Sequence, residues 1–337
     1  MTGASSPPSP ELFFDTLNAH VRTEALRAAL ELDLFTAIGE GAHTPEVLAG
    51  RCTASVKGLR VLCDFLTIIG FLTKQEGTYD LTLDTATFLD RRSAYFQGSA
   101  VDSMLNPMLM DKFKNLAGVV RKGGTIDSEG TLAPEHPVWV KFARAMSPMM
   151  ALPANIMAQL SGAAKGQPWK VLDIAAGHGI FGITIARTNP HAEIVAVDWP
   201  NVLDVARENA RNAGVENRFR TLPGSAFDVD FGAGYDLVLL TNFLHHFDIP
   251  TCEKLLRKVH TALKDSGRVM TLEFVPNDDR VTPSIAAGFS MTMLASTPSG
   301  DAYTFAEYQS MFARAGFPRS ELHSASPTPS SVVLSYK

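Results

Sequence analysis

From Glu11 to Ile38 apolar residues recur at helical spacing (Leu12, Phe13, Leu17, Val21, Leu26, Ala29, Leu30, Leu34), which predicts helix through this stretch. Thr44-Pro45-Glu46 opens another helix, because threonine is a natural N-cap and proline suits the first helical position. Ser55 is placed to cap the next, which carries Leu59, Val61, Leu62, Phe65, Leu66 and Ile69 and stops at Gly70. Phe71–Lys74 and Thr78–Thr82 read as short strands around a Gln75-Glu76-Gly77 turn. Helices followed by a hairpin are the winged-helix order. Between about Ala86 and Leu160 lie further helices, rich in methionine, and Ser161–Pro168, rich in Gly and Ala, is the best linker.

The pattern then changes from helical period to short apolar runs. Val171–Ile174, Glu193–Asp198, Phe219–Leu222, Asp236–Leu240 and Arg268–Phe274 read as strands. Val202–Ala213, Cys252–Leu263 and Phe305–Ala315 read as helices, and Ser320–Ser324 with Ser331–Tyr336 close the chain as strands. Alternating strands and helices predict an α/β doubly wound, Rossmann-like sheet, mostly parallel, with an antiparallel C-terminal edge. The expected organisation is a tail over 1–10 without order, a winged-helix-like domain over 11–100, a helical connector over 101–165 and a ligand-binding domain over 166–337.

Composition narrows the function classes. With 45% hydrophobic residues in 337, the chain can bury two domain cores. A formal charge of −5 gives no pull towards nucleic acid or an anionic membrane. The helix that would read DNA in a winged helix, Ser55–Ile69, offers only Lys57 and Arg60, so a dimerisation role is favoured over base readout. Cys52, Cys63 and Cys252 show no metal-ligand spacing and suit a reducing compartment. No apolar run is long enough to span a bilayer, and Met1–Pro10 lacks the apolar region of a signal peptide. The expectation is a cytoplasmic protein that uses no metal.

Chemistry concentrates at the carboxyl ends of the predicted strands, where ligands of such sheets bind. Val171-Leu172-Asp173-Ile174-Ala175-Ala176-Gly177-His178-Gly179 is a buried strand running into a tight turn and a helix. Gly177, Gly179 and Gly182 with Asp198 satisfy a dinucleotide fingerprint. Asp173, however, is an anion poorly placed beside a pyrophosphate and well placed for a cationic ligand. Further on come Gly224-Ser225-Ala226-Phe227, Asn242, the adjacent His245 and His246, and Glu273. Adjacent side chains at a loop or helix start diverge, so only one histidine, His245, is expected to face the cleft. An imidazole with an ordinary pKa near ~6.5 suits a general base at neutral pH.

These residues carry a resemblance. Val171–Gly179, Ala196–Leu203, Gly224–Phe227 and Asn242–Cys252 resemble the motifs of the class I S-adenosylmethionine-dependent methyltransferases, most closely the small-molecule O-methyltransferases of plants and bacteria. The domain order matches along nearly the whole chain. The resemblance implies S-adenosyl-L-methionine as cofactor, held by Asp173, Gly177, Gly179, Asp198, Ser225, Phe227 and Asn242. It implies His245 as the base, oriented by Glu273, and a homodimer. The family's Asp and Trp after the histidine fall on His246 and Phe247, its second orienting acid falls on Ala302, and its first loop glycine is Ala175. The implied substrate is a small, largely apolar hydroxylated molecule in a pocket that includes Phe142, Met146, Met149 and Met291. The competing readings are a cofactor-binding relative with a different reaction and a metabolite-sensing winged-helix regulator.

Overall fold

A computed structural model describes residues 8–126 and 137–337. Most of the expected tail, residues 1–7, and residues 127–136 of the expected connector lie outside the described residues. The chain forms two compact units, the first ending at Val101 and the second beginning at Asp102.

In the first unit, α1 (Glu11–Leu17), α2 (Ala19–Glu31) and α3 (Leu34–Gly39) divide the first periodic stretch. The chain breaks at Asn18 and at Asp33, which has a left-handed φ of 52°. Then come α4 (Pro45–Arg51), α5 (Val56–Ile68), β1 (Leu72–Gln75), β2 (Thr78–Leu81) and α6 (Leu83–Phe88). The capping residues act as their identities predict: Thr44 Oγ1 accepts from the Val47 amide and Ser55 Oγ from that of Gly58. Leu34, Phe35, Ile38, Leu48, Leu59, Leu66 and Tyr79 fill the core. The Tyr79 hydroxyl meets its polar requirement by donating to Asp64 at 2.7 Å.

The chain passes through α7 (Ala100–Met104), α8 (Pro107–Lys114) and α9 (Leu116–Lys122) to the long α10 (Pro137–Ser161). These helices, expected as a connector, belong to the second unit from Asp102 onward, as does the Gly/Ala-rich stretch after Ser161. The unit is built on β3 (Lys170–Ile174), β4 (Glu193–Asp198), β5 (Phe219–Pro223), β6 (Tyr235–Thr241), β7 (Leu263–Glu273), β8 (Arg319–Ser324) and β9 (Ser331–Tyr336). Their order across the sheet is β5-β4-β3-β6-β7-β9-β8, parallel as far as β7, with β9 and β8 antiparallel at the edge.

Alternation along each strand divides the apolar side chains between two faces. Val171, Ile194, Leu237, Leu239 and Leu272 pack with α10, α11 (Ile180–Thr188) and α12 (Pro200–Asn212). Leu172, Ile174, Val197, Val238 and Leu240 pack with α13 (Ile249–Ala262) and α15 (Phe305–Arg314). Both faces are therefore covered, which is why the central strands read as continuous apolar runs. Between β7 and α15 lies α14 (Ser284–Ser296), a helix the sequence pattern did not announce. It is apolar on all sides, so no amphipathic period marks it. Among the described residues, no helix is long and apolar enough to cross a membrane.

Candidate active site

The strand order reverses between β3 and β6, and the residues expected to carry chemistry end the strands around that point. After β3, Ala175 and Gly177 both take positive φ, 54° and 56°. Ala175 pays for a conformation that a glycine would adopt freely. A Cβ on Gly177 would meet only the Ala175 carbonyl, at 3.9 Å, so the turn has open space in front of it. The Gly177 amide donates to Asp198 Oδ2 at 2.8 Å, and the Trp199 amide to Oδ1 at 2.7 Å. Asp198 thus clasps the turn while each oxygen keeps a lone pair.

Asp173 is fully buried beneath this turn. Its Oδ2 accepts from the Gly182 amide at 3.0 Å, and among the described residues its Oδ1 has no hydrogen-bond partner. It pairs in register with Ala196, so its side chain shares a sheet face with Asp198 two residues on. Burial raises Asp173 to about 7, against the pull of its single amide donor and with the Asp198 charge adding to the rise. Burial also raises Asp198 to about 6, despite its two amide donors. Among the described residues, no Lys, Arg or His forms an ion pair with either carboxylate.

The other half of the site starts from Glu273, the last residue of β7 and fully buried. Its Oε1 accepts from the amides of Phe243 (3.0 Å) and Leu244 (2.9 Å), and its Oε2 lies 2.5 Å from His245 Nδ1. Every donor needed to hold this carboxylate comes from the turn that follows β6. His245 is itself buried, so the imidazole is fixed with Nδ1 towards the carboxylate and Nε2 away from it. Behind the turn, a Cβ on Gly300 would collide with the His245 carbonyl oxygen and lie 2.9 Å from the His246 carbonyl carbon. Only glycine allows this close approach.

The two histidines do not diverge as expected. They share the 3₁₀ turn Leu244–His246, and their rings lie 4.3 Å apart, tilted by 52°. Phe289 of α14 stands edge-on to His245 at 4.9 Å and stacks on Phe274 at 4.2 Å. Burial and the neighbouring His245 push His246 well below the usual histidine pKa. Phe227, Phe243 and Phe247 form a third element, an aromatic cluster with ring separations of 5.0 to 6.4 Å.

The sequence profile of the O-methyltransferase domain matches residues 135–318, more than half of the chain. The chain belongs to the O-methyltransferase family. The profile of the O-methyltransferase dimerisation domain matches residues 14–91. A solved structure from Nostoc punctiforme PCC 73102, assigned by its description to the O-methyltransferases, is 56% identical with a TM-score of 0.92; the alignment covers 98% of this chain and 100% of that one. The 3-hydroxy-5-methyl-1-naphthoate 3-O-methyltransferase of Streptomyces sahachiroi is 29% identical, over 94% of this chain and 92% of its own. Human N-acetylserotonin methyltransferase, solved in complex with S-adenosylmethionine, shares the fold at 21% identity and a TM-score of 0.82, with 100% and 99% of the two chains covered.

In this O-methyltransferase-family chain the structure brings Asp173, Gly177, Gly179 and Asp198 together at one turn, and His245 with Glu273 at another. Ser225 Oγ accepts from the Phe227 amide at 3.2 Å, which sets the direction of the turn leading to the phenylalanine. Asn242 takes a φ of 51°, and its amide nitrogen lies 3.5 Å from the sulfur of Met150 on α10. Met150, absent from the expected pocket residues, therefore touches the site. Met146 and Met149 are half-buried on the same helix, while Phe142 and Met291 are exposed. Ala302 is fully buried, and neither neighbouring acid replaces it. Asp301 pairs with Arg280 at 3.2 Å, and Asp248 caps α13 by accepting from the Thr251 amide. Gly300 and Trp139 were missed, since a single glycine or aromatic residue outside a motif carries no signal in one sequence; Phe243 lies inside the Asn242–Cys252 motif, but its part, an amide that donates to Glu273, belongs to the backbone and is not announced by its side chain. Among the described residues, no cluster of three His, Cys, Asp or Glu could hold a metal ion.

Proposed function

We infer that this chain moves a methyl group from S-adenosylmethionine to a hydroxyl, phenolic in character, of a small and largely apolar molecule, with His245 as general base and two copies forming the working unit. The observation that carries the reading is the buried His245–Glu273 pair at 2.5 Å, set at the carboxyl end of the sheet. Because Nδ1 faces Glu273, the hydroxyl proton goes to Nε2, and the imidazolium so formed stays beside a buried carboxylate. A phenol with a pKa near ~10 is mostly protonated at pH 7, so such a base contributes about 10²–10⁴-fold. Rings of Phe289 beside His245 and Trp139 beside His246, with Phe274 stacked on Phe289, suit a flat apolar substrate. Similarity to a methyltransferase that acts on a hydroxynaphthoate agrees with this class.

The residues fit the cofactor. Gly177 leaves open space at the turn, Asp198 retains acceptor capacity for ribose hydroxyls, and the Phe227 cluster offers a ring face to adenine. The uncompensated pair Asp173 and Asp198 favours a ligand carrying positive charge. When bound, the cofactor supplies a sulfonium-activated methyl group in line for attack by oxygen. The protein's own part is to hold both reactants in that line and to take the proton.

Dimerisation is supported by the matched domain and by α1, where Leu12, Phe13, Phe14 and Leu17 are all more than half exposed. A contiguous apolar stripe of this kind is usually covered. Mass-spectrometric detection of a product 14 mass units heavier, from S-adenosylmethionine and a panel of phenols, tests the reaction. No product from any member, with the cofactor bound, would refute it. A monomer by light scattering at micromolar concentration would refute the dimer.

A further inference from the structure

Thr297, the residue at which α14 ends, is fully buried and has a partner for each of its hydrogen-bonding groups. Its amide and its hydroxyl both donate to the Met293 carbonyl, at 2.9 and 2.7 Å, and its hydroxyl accepts from the Gly300 amide at 2.8 Å. Its carbonyl accepts from the amide of Thr125, just past α9, at 2.8 Å. The segment that follows is wedged at two points. A Cβ on Gly124 would collide with the Pro298 carbonyl oxygen, and one on Gly300 would collide with that of His245. Side chains do not pack so closely on a backbone, so both approaches need glycine. Asp301, the next residue, is tied to Arg280 at 3.2 Å. His245 is therefore held at its ring by Glu273 and at its carbonyl by a segment that leans in turn on the end of α9.

We propose that Thr297 is a positioning residue for His245, acting through Gly300, and that Gly124 sets the far end of the same strut. The inference rests on the reading of His245 as the base only for what its placement is worth to the reaction. Threonine suits the position because one hydroxyl both donates to the last turn of the helix and accepts from the amide three residues on. Valine has a similar shape but leaves the Gly300 amide without its acceptor, so the segment can drift away from the histidine turn. At 2.5 Å the bond from His245 to Glu273 has no slack, and a small shift of the turn lengthens it. Misplacing a reacting group by about 1 Å costs about 10²-fold in rate.

The test is proton NMR on the full chain loaded with S-adenosylhomocysteine. A short hydrogen bond to a carboxylate deshields its proton, so the wild type gives a far-downfield His245 Nδ1 resonance, identified by its loss in His245→Ala. In Thr297→Val that resonance moves upfield or broadens beyond detection. In Thr297→Ser, which restores the hydroxyl, it returns towards its wild-type place. Gly124→Ala, whose new Cβ presses on Pro298, also moves it, and carries the comparison if Thr297→Val fails to bind S-adenosylhomocysteine by calorimetry. A merely structural role for Thr297 would lower the melting temperature of Thr297→Val and leave the resonance where it was. An unmoved resonance in Thr297→Val and Gly124→Ala, a serine variant that behaves as the valine one, or no such resonance in the wild type overturns the proposal. The resonance needs no substrate, so the mass-spectrometric search for a methylated phenol tests the O-methyltransfer reading separately.

Discussion

Two carboxylates of one sheet, Glu273 and Asp173, are both fully buried, yet they are held in opposite ways. Glu273 accepts two amides and an imidazole within 3.0 Å. Asp173 accepts one amide and, among the described residues, leaves an oxygen unmet beside the like charge of Asp198. A fully satisfied carboxylate is a fixed charge that orients a neighbour. An under-satisfied one is a demand that a ligand can fill. The His245–Glu273 end of the site is therefore complete in the chain itself, and on the function proposed above the Asp173 end would be completed by the cofactor.

The largest expected effect strikes the complete end. His245→Ala should leave cofactor affinity unchanged and lower kcat by about 10²–10⁴-fold, measured by calorimetry and by turnover on any methylated phenol. Retention of near-normal turnover would remove the base from the mechanism. Glu273→Gln keeps shape but not charge, and should lower kcat by about tenfold or more through loss of a charge-assisted hydrogen bond. It should also shift the acidic limb of the pH–rate profile to lower pH, because a neighbouring anion favours the imidazolium. An unmoved limb would mean that Glu273 does not face the titrating group.

The cofactor end should respond in affinity instead. Asp198→Ala should weaken S-adenosylmethionine binding by about 1.5–3 kcal/mol, the value of hydrogen bonds to a charged group, and calorimetry measures it directly. A change in stability rather than in turnover or affinity sharpens the comparison most. Asp173 is raised to about 7 when folded, so folding favours its protonated form. That contribution is fully present below the unfolded value near ~3.9 and is lost as pH rises through about 7. Asp173→Asn should thus stabilise the cofactor-free protein at pH 8 by on the order of 2 kcal/mol, with the gain fading towards pH 4. Denaturant titrations at the two pH values check this, and equal differences at both would show that charge is not the cause.

Much of this was legible in the residues. Caps such as Thr44 and Ser55 act over three or four residues, so local chemistry sets them. The buried runs of β3, β4 and β6 name a parallel sheet because helices cover both faces, and the glycine turn and His245 follow from position at strand ends. What stayed hidden depends on distant packing. Nothing in Ser284–Ser296 has a helical period, since α14 is apolar all round. Nothing around Gly300 reveals that its missing side chain makes room for the backbone of two histidines some 55 residues earlier. Local propensity likewise spread His245 and His246 apart, whereas a 3₁₀ turn held by Glu273 sets their rings together.

Helix α10 contains Pro148 and Pro153, neither of which has an amide hydrogen to give. The carbonyls of Arg144 and Met149, one turn earlier, lose their helical partners as a result. The segment after Pro153 is anchored by Ala154, Met157 and Ala158, all fully buried against the sheet, whereas Lys141, Phe142 and Arg144 are exposed. Deuterium uptake along this one helix should consequently fall in steps, fastest before Pro148 and slowest after Pro153, because amide exchange follows the stability of each segment and not that of the rod. The stretch bearing Trp139 should then exchange by local opening, and Ala154–Leu160 only with global unfolding.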